Sequence, residues 1–155
     1  MKERAAFILA TWFGSGLIKP APGSWGSLAA LPFAYFLIHF NNITLYVIVT
    51  AVVFFIGMWA TAIYSAQAQK EDASEIVIDE VVGQWIALWP WLFLVQPSIW
   101  GYVAAFLLFR FFDILKPWPI SLADRRHDAW GVMLDDVVAG LMAALVSWGV
   151  IFYAF

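Results

Sequence analysis

The longest apolar run in this chain, Ile43–Ala68, contains 26 residues and no charged side chain. At 1.5 Å per residue, a helix over this run is about 39 Å long, which exceeds the ~30 Å hydrocarbon core of a bilayer. Four other apolar stretches cover residues 25–40, 81–95, 98–109 with a continuation to 115, and 137–155. We therefore predict an all-α, polytopic membrane helical bundle of about five spans, forming a single domain over residues 1–155.

The composition excludes most other classes of protein. Residues of the set AVILMFWYC make up 64% of the chain and charged residues 12%, against about 45–50% and about 25% in typical soluble domains. A soluble or disordered protein of this size is excluded, because small domains bury a lower fraction of their surface than large ones. The absence of cysteine excludes disulfides, thiolate metal sites and a cysteine nucleophile. The net charge of −3 argues against a protein that binds nucleic acid.

The basic residues predict the orientation of the bundle. If all five stretches cross the bilayer, alternation places all eight Lys and Arg residues on one side, which the positive-inside rule identifies as cytoplasmic. We therefore predict that the N-terminus is inside and that two short uncharged connections, at residues 41–42 and 96–98, lie outside. The third stretch is only about 22 Å long, so it spans only if neighbouring helices seal its ends.

Five acidic residues fall at the cytoplasmic boundary of the predicted spans. They are Asp79 and Glu80 at the start of the third, Asp113 at the end of the fourth, and Asp135 and Asp136 at the start of the fifth. Helix capping could explain Asp79 and Asp135, but not the second acid of each pair or an acid near a helix C-terminus. Clustered carboxylates repel one another unless a cation compensates them. Oxygen ligands favour a hard cation such as Mg²⁺, so we predict a metal site.

Two basic residues flank one of these acids on the same helix face. Arg110, Asp113 and Lys116 are spaced i, i+3 and i+6, and the prolines at 117 and 119 stop the helix directly afterwards. On an exposed helix this row would be a salt-bridge ladder. Next to a carboxylate-held metal, the two cations suit the negative charge of a phosphate instead.

A segment rich in Gly, Pro and Ser, residues 14–27, precedes the first predicted span on the same side. Ser24 or Ser27 could cap the helix that follows, whose free N–H groups would suit an anion. The segment is not a Walker A loop, because the Gly-Lys-Ser/Thr ending is missing. By itself the segment is weak evidence for an anion site. It gains weight because it is predicted on the same side of the membrane as the acidic and basic residues.

Other ionisable residues receive structural interpretations. Glu71, Asp72 and Glu75 are interpreted as solvated charges of the loop between the second and third spans. His39 belongs to the outer end of the first span and is interpreted as structural. His127 is interpreted as a solvated loop residue, with proton transfer as the alternative.

Four blocks of the chain carry a resemblance to a known family. The blocks read PGSWGS at 22–27, DEVVG at 79–83, RFFDILKPWPI at 110–120 and MLDDVVAG at 133–140. Over nearly its whole length the chain resembles the phosphatidylglycerophosphatase A family, and the third and fourth blocks are the specific ones. The resemblance implies a small, all-helical, Mg²⁺-dependent membrane phosphatase. Its expected reaction is hydrolysis of the terminal phosphate of phosphatidylglycerophosphate to give phosphatidylglycerol, at the cytoplasmic face of the bacterial inner membrane.

The resemblance and the residue pattern together assign roles to individual side chains. The expected ligands of one or two Mg²⁺ ions are Asp79, Glu80, Asp113, Asp135 and Asp136. The expected catalytic residues are Asp113, Asp136, Lys116 and Arg110. The expected substrate-binding residues are Lys19, Ser24, Trp25, Gly26, Ser27, Arg110 and Lys116. Two routes stay open, because either a water attacks the phosphorus or Asp113 acts as a nucleophile that forms an aspartyl-phosphate.

Several alternative functions compete with this interpretation. A transporter or channel with an acidic ion-binding site would place charges within the spans or on both faces, whereas the outer connections here carry none. A CDP-alcohol phosphotransferase would show an Asp-Gly-x-x-Ala-Arg run, which is absent. A structural membrane subunit would not explain five acids at one edge. A phosphatase that acts on another lipid-linked phosphate also stays open, as does assembly into a homo-oligomer.

Overall fold

The computed structural model describes residues 1–70, 73–93, 98–126 and 128–154, and these residues form helices without any strand. The α-helices are α1 Lys2–Ala10, α2 Pro22–Ile38, α3 Ile43–Ala68, α4 Ile78–Leu88, α5 Ile99–Leu115, α6 Ile120–Asp124 and α7 Ala129–Ala154. Two 3₁₀ helices cover Ser15–Leu17 and Trp89–Phe93. The predicted all-α class is confirmed for this part of the chain.

Two of the helices meet the length and composition needed to cross a bilayer. They are α3, over Ile43–Ala68, and α7, over Ala129–Tyr153. Asn42 starts α3 by accepting a hydrogen bond from the Leu45 N–H at 2.9 Å, and no charge interrupts the helix. Helices α2 and α5 have 17 residues each, about 25 Å of helix. The count of five spans and the cytoplasmic N-terminus stay predictions.

Helix α4 is the buried centre of the bundle. All of its residues except Glu80 are buried, and it packs against α2, α3, α5 and α7. Its α-helical part ends at Leu88 and continues as a 3₁₀ helix, so it is shorter than the predicted span over residues 81–95. Pro90 explains this ending because proline removes a backbone donor and clashes with the preceding helical turn. Residues 94 and 95 lie outside the described part.

Helices α4 and α7 are in close backbone contact between the second turn of α4 and residues 136–140 of α7. A Cβ added at Gly83 would lie 2.7 Å from the Asp136 carbonyl oxygen, and one added at Gly140 would overlap the Gly83 carbonyl. Glycine at both positions therefore lets the two backbones touch. This contact fixes the start of α4 beside the second turn of α7, where the acidic residues are.

The N-terminal helix packs on the same bundle. Ala6 and Ala10 of α1 are fully buried, and Phe7 stacks on Tyr64 of α3 with ring centroids 6.0 Å apart. The Val77 N–H donates to the Ala10 carbonyl at 2.8 Å, which ties the end of α1 to the residue before α4. This hydrogen bond fixes the start of α4 against α1, in addition to its packing against α7.

Candidate active site

Three of the predicted acids form one tight cluster. Asp79 and Glu80 lie in the first turn of α4, and Asp136 lies on α7. One carboxylate oxygen from each of them lies within 4.8 Å of the other two. The Gly83–Gly140 contact explains this proximity, because it brings the two helices together one turn away from the acids. The three carboxylates could together hold an oxygen-ligated divalent cation.

The cluster is buried and short of hydrogen bonds. Asp79 is 8% exposed and Asp136 is 3% exposed. Among the described residues, Asp79 Oδ1 and Glu80 Oε2 have no hydrogen-bond partner. Burial raises the pKa of Asp79 well above its ordinary value and raises the pKa of Glu80 to about 7, and both residues precede the third predicted span. Buried carboxylate oxygens without partners fit a site that a cation would complete.

Asp113 is paired with a base and is not part of this cluster. Its Oδ2 lies 2.6 Å from Nη1 of Arg110, one helical turn earlier on α5. The same Nη1 lies 3.9 Å from Glu80 Oε1, so the guanidinium stands between Asp113 and the buried cluster. All three side chains are at most 14% exposed. The predicted Arg–Asp row on α5 therefore faces the carboxylate cluster.

Asp135 is paired with the second base. Lys116 Nζ lies 2.7 Å from Asp135 Oδ2 and also forms an ion pair with Asp124 of α6. Burial lowers the pKa of Lys116, but its hydrogen bonds to the two carboxylates outweigh this and raise the pKa above its usual value. Lys116 ends α5 in a left-handed conformation, with φ 43° and ψ 51°, and Pro117 follows it. This turn directs the chain back towards α7.

These groups line one cavity of about 450 Å³. Its charged lining residues are Asp79, Glu80, Arg110, Asp113, Lys116, Asp124, Arg126, Asp135 and Asp136. Six acids against three bases leave the lining with an excess of negative charge when all are ionised. A phosphate would be repelled by this lining unless a cation were bound, because like charges in a partly buried site interact strongly.

The first turn of α2 closes one side of the cavity. Ala21, Pro22 and Gly23 line it, and a Cβ at Gly23 would overlap Glu80 Oε1 and lie 3.1 Å from Arg110 Nη1. A side chain at this position would displace the Glu80 carboxylate, so glycine leaves the acid–base pair in place.

The substrate-binding residues predicted in the Gly-, Pro- and Ser-rich segment, residues 14–27, lie around that turn. Ser27 is buried and its hydroxyl donates to the Gly23 carbonyl at 2.8 Å. The lining of the cavity does not include Lys19, Ser24, Trp25, Gly26 or Ser27.

Sequence reasoning assigned no individual role to several residues of the cavity lining, among them Gly23, Asp124 and Arg126. A signal for Asp124 existed, because the residues from Lys116 onward turn at two prolines and so return the following acid towards the lysine. Among the ionisable residues given structural interpretations, Glu71, Asp72 and His127 lie outside the described residues.

Comparison with known proteins identifies the family of this chain. The family model described as Phosphatidylglycerophosphatase A matches residues 8–151. The phosphatidylglycerophosphatase A of Haemophilus influenzae is 41% identical over 146 residues, covering 92% of this chain and 86% of that protein. The phosphatidylglycerophosphatase A of Escherichia coli K12 is 41% identical over 139 residues, covering 88% and 78%.

A third relative carries a different description. A Bacteroides thetaiotaomicron protein, described provisionally as a phosphatidylinositol-3-phosphatase, is 37% identical over 153 residues, covering 91% of this chain and 92% of that protein. No solved structure matches this chain. The family match spans residues 8–151, and the two relatives of 41% identity cover 92% and 88% of this chain. The chain therefore belongs to the phosphatidylglycerophosphatase A family of phosphoric monoester hydrolases.

Proposed function

We propose that this protein is a Mg²⁺-dependent phosphatase that removes the terminal phosphate of phosphatidylglycerophosphate at the cytoplasmic leaflet. The observation that carries the proposal is a buried cluster of three carboxylates beside two ion-paired cations in one cavity. Family membership supports the substrate, since two relatives with 41% identity are described as phosphatidylglycerophosphatase A.

The residues that would hold the metal are Asp79, Glu80 and Asp136. Their carboxylate oxygens converge, and two of these residues have buried oxygens that lack partners among the described residues. An all-oxygen site favours Mg²⁺ over softer metals. When bound, a divalent ion supplies Lewis-acid polarisation of the phosphate and of an attacking water.

Arg110 and Lys116 bind the phosphate oxygens in this proposal. Arg110 is held by Asp113 at 2.6 Å, and Lys116 is held by Asp135 at 2.7 Å and by Asp124, so both cations are oriented before the substrate arrives. Asp113 and Asp135 act in the first instance as positioning residues for these cations. Hydrolysis replaces the bond from phosphorus to the glycerol oxygen with a bond to the water oxygen, and a proton passes to the leaving oxygen.

The N-terminal segment completes the proposed substrate site. Gly23 places the first turn of α2 against Glu80 and Arg110. Ser27 stabilises that turn through the Gly23 carbonyl. Lys19, Ser24, Trp25 and Gly26 do not line the cavity, so their role in substrate binding stays a prediction.

The membrane topology is part of the proposal. We infer five crossings with the N-terminus inside, in the bacterial cytoplasmic membrane. Two apolar helices and the exposed apolar side chains on the outer faces of α3, α5 and α7, such as Phe55, Leu107 and Leu145, support a lipid environment. The starts of α4 and α7 and the end of α5 meet at the cavity, at the end of the bundle where the basic residues lie.

A phosphatase for a different lipid headgroup is the second candidate. The 37% identical relative described as a phosphatidylinositol-3-phosphatase favours it, because its similarity also covers nearly the whole chain. The metal cluster and the paired cations would serve either headgroup, since both substrates present a phosphate monoester.

The deciding experiment is phosphate release by the purified protein in mixed micelles. Phosphatidylglycerophosphate and phosphatidylinositol 3-phosphate are compared at equal surface fractions, with Mg²⁺ and with EDTA. We expect release from phosphatidylglycerophosphate only when Mg²⁺ is present. Release that persists fully in EDTA contradicts the metal assignment, and faster release from the inositol lipid contradicts the proposed substrate.

A further inference from the structure

Arg126 is the most exposed of the three cations that line the cavity. Its side chain is 58% exposed, against 31% for Lys116 and 14% for Arg110. The two more buried cations are each paired with an acid of the cavity lining, whereas Arg126 pairs with Asp128, which does not line the cavity. Arg126 therefore lies at the mouth of the cavity, whereas Arg110 and Lys116 lie in its interior.

The guanidinium of Arg126 is held in place although it is exposed. Its Nη2 donates to Asp128 Oδ2 at 2.8 Å and its Nε donates to Asp128 Oδ1 at 3.3 Å. Asp128 Oδ1 also accepts a hydrogen bond from the Gly131 N–H at 2.9 Å, in the first turn of α7. A Cβ at Gly131 would overlap the Arg126 carbonyl, so the backbone of Arg126 lies directly against that turn. The ion pair occupies one edge of the guanidinium and leaves Nη1 on the other edge.

We propose that Arg126 binds the phosphodiester of the lipid substrate and so selects headgroups that carry two phosphates. The inference rests on the proposed function, in which the substrate has a terminal monoester and, nearer the acyl chains, a diester. The monoester must reach the carboxylate cluster and its two buried cations. The diester then lies nearer the mouth of the cavity, and Arg126 is the lining cation at that level. A fixed guanidinium suits this role because arginine binds phosphate oxygens through directed, charge-assisted hydrogen bonds.

The test compares Arg126→Gln with Arg125→Gln, a neighbouring exposed arginine that does not line the cavity. For each variant we measure the KM for phosphatidylglycerophosphate in mixed micelles of fixed composition, and the inhibition constant of inorganic phosphate. Inorganic phosphate is a product that carries only the group bound in the interior. We expect Arg126→Gln to raise the KM by about tenfold or more, from loss of one charge-assisted contact. The inhibition constant of phosphate should change less than about twofold, and Arg125→Gln should leave both constants unchanged.

Three results would overturn the inference. They are an unchanged KM in Arg126→Gln, a parallel rise in the inhibition constant of phosphate, and an equal rise in KM for Arg125→Gln.

If Arg126→Gln does not fold, Asp128→Asn replaces it, because asparagine can still accept from the Gly131 N–H but no longer forms an ion pair with Arg126. That variant should raise the KM about threefold or more at a constant inhibition constant, and an unchanged KM would count against the inference. Wild-type protein inactive on phosphatidylglycerophosphate would instead refute the proposed function.

Discussion

Gly140 on α7 lies directly against the backbone of Gly83 on α4, where a Cβ at Gly140 would be 3.1 Å from the Gly83 Cα. This contact stands one turn from Asp136 and holds both halves of the carboxylate cluster together. The geometry of the carboxylate cluster therefore depends on two residues that carry no functional group.

Gly140→Ala should destabilise the protein and disrupt the cluster. The added methyl group forces α4 and α7 apart, and overpacking of this kind lowers the free energy of unfolding by about 1–3 kcal/mol. Gly149→Ala on the same helix is the matched control, because nothing lies within 4 Å of its Cβ. Thermal unfolding in detergent and phosphate release measure both effects. Equal unfolding temperatures and equal rates of phosphate release in the two variants would show that the Gly83–Gly140 contact affects neither stability nor activity.

Asp136→Asn should remove most of the activity while the protein stays folded. The residue is one of three converging carboxylates, and loss of even an outer-shell partner lowers metal affinity or activity by about 10–100-fold. We expect a loss of at least about 100-fold in kcat/KM, and the shift in unfolding temperature on adding Mg²⁺ should disappear. Glu3→Gln, an exposed acid on α1, should retain both properties. A Mg²⁺-dependent shift that survives in Asp136→Asn would exclude this residue as a ligand.

Asp113 should not become covalently phosphorylated. Its Oδ2 is engaged by Arg110 at 2.6 Å, so we expect water to attack the phosphorus directly. When substrate with a ³²P-labelled terminal phosphate is quenched in acid during a single turnover, no label should stay on the protein. Asp113→Asn should still lose most of the rate, because Arg110 loses its partner. Labelled phosphate on the peptide that contains Asp113 would establish the aspartyl-phosphate route instead.

The metal-free protein should lose stability as the pH rises. Burial raises the pKa of Glu80 from 4.5 to about 7, so between these pH values the folded state keeps a proton that the unfolded state has released. The free energy of unfolding therefore falls from about pH 4.5 to about pH 7 in EDTA. Mg²⁺ should oppose this fall, because ligands must be deprotonated to bind it. Unfolding temperatures measured against pH in EDTA and in Mg²⁺ test this prediction. Glu80→Gln should make the unfolding temperature in EDTA less dependent on pH. An unfolding temperature that rises with pH in EDTA over this range would contradict the prediction.

The location of the site could be predicted from the sequence, whereas its internal pairing could not. Apolar runs give helix positions, and the acids at their ends then meet at one boundary of the bundle. The choice of partner depends on distances of a few ångströms between side chains from different helices. Sequence spacing therefore grouped five acids as metal ligands, while the structure brings together Asp79, Glu80 and Asp136 and pairs Asp113 and Asp135 with bases.

Helix α4 shows the same limit for the fold. Its apolar sequence predicted a membrane span, and this stays a prediction, whereas the structure shows that the helix is buried in contact with four others. An apolar helix that faces protein and one that faces lipid have similar compositions, so sequence alone does not separate them. Pro90, by contrast, is a local signal that the α-helical part would end early.

In the proposed function, the surplus of acid over base in the cavity sets an order of binding. A headgroup with two phosphates adds negative charge to a lining that already carries an excess, so it would bind productively only after a divalent cation. The rate of lipid turnover would then depend on the concentration of free divalent ions in the cell.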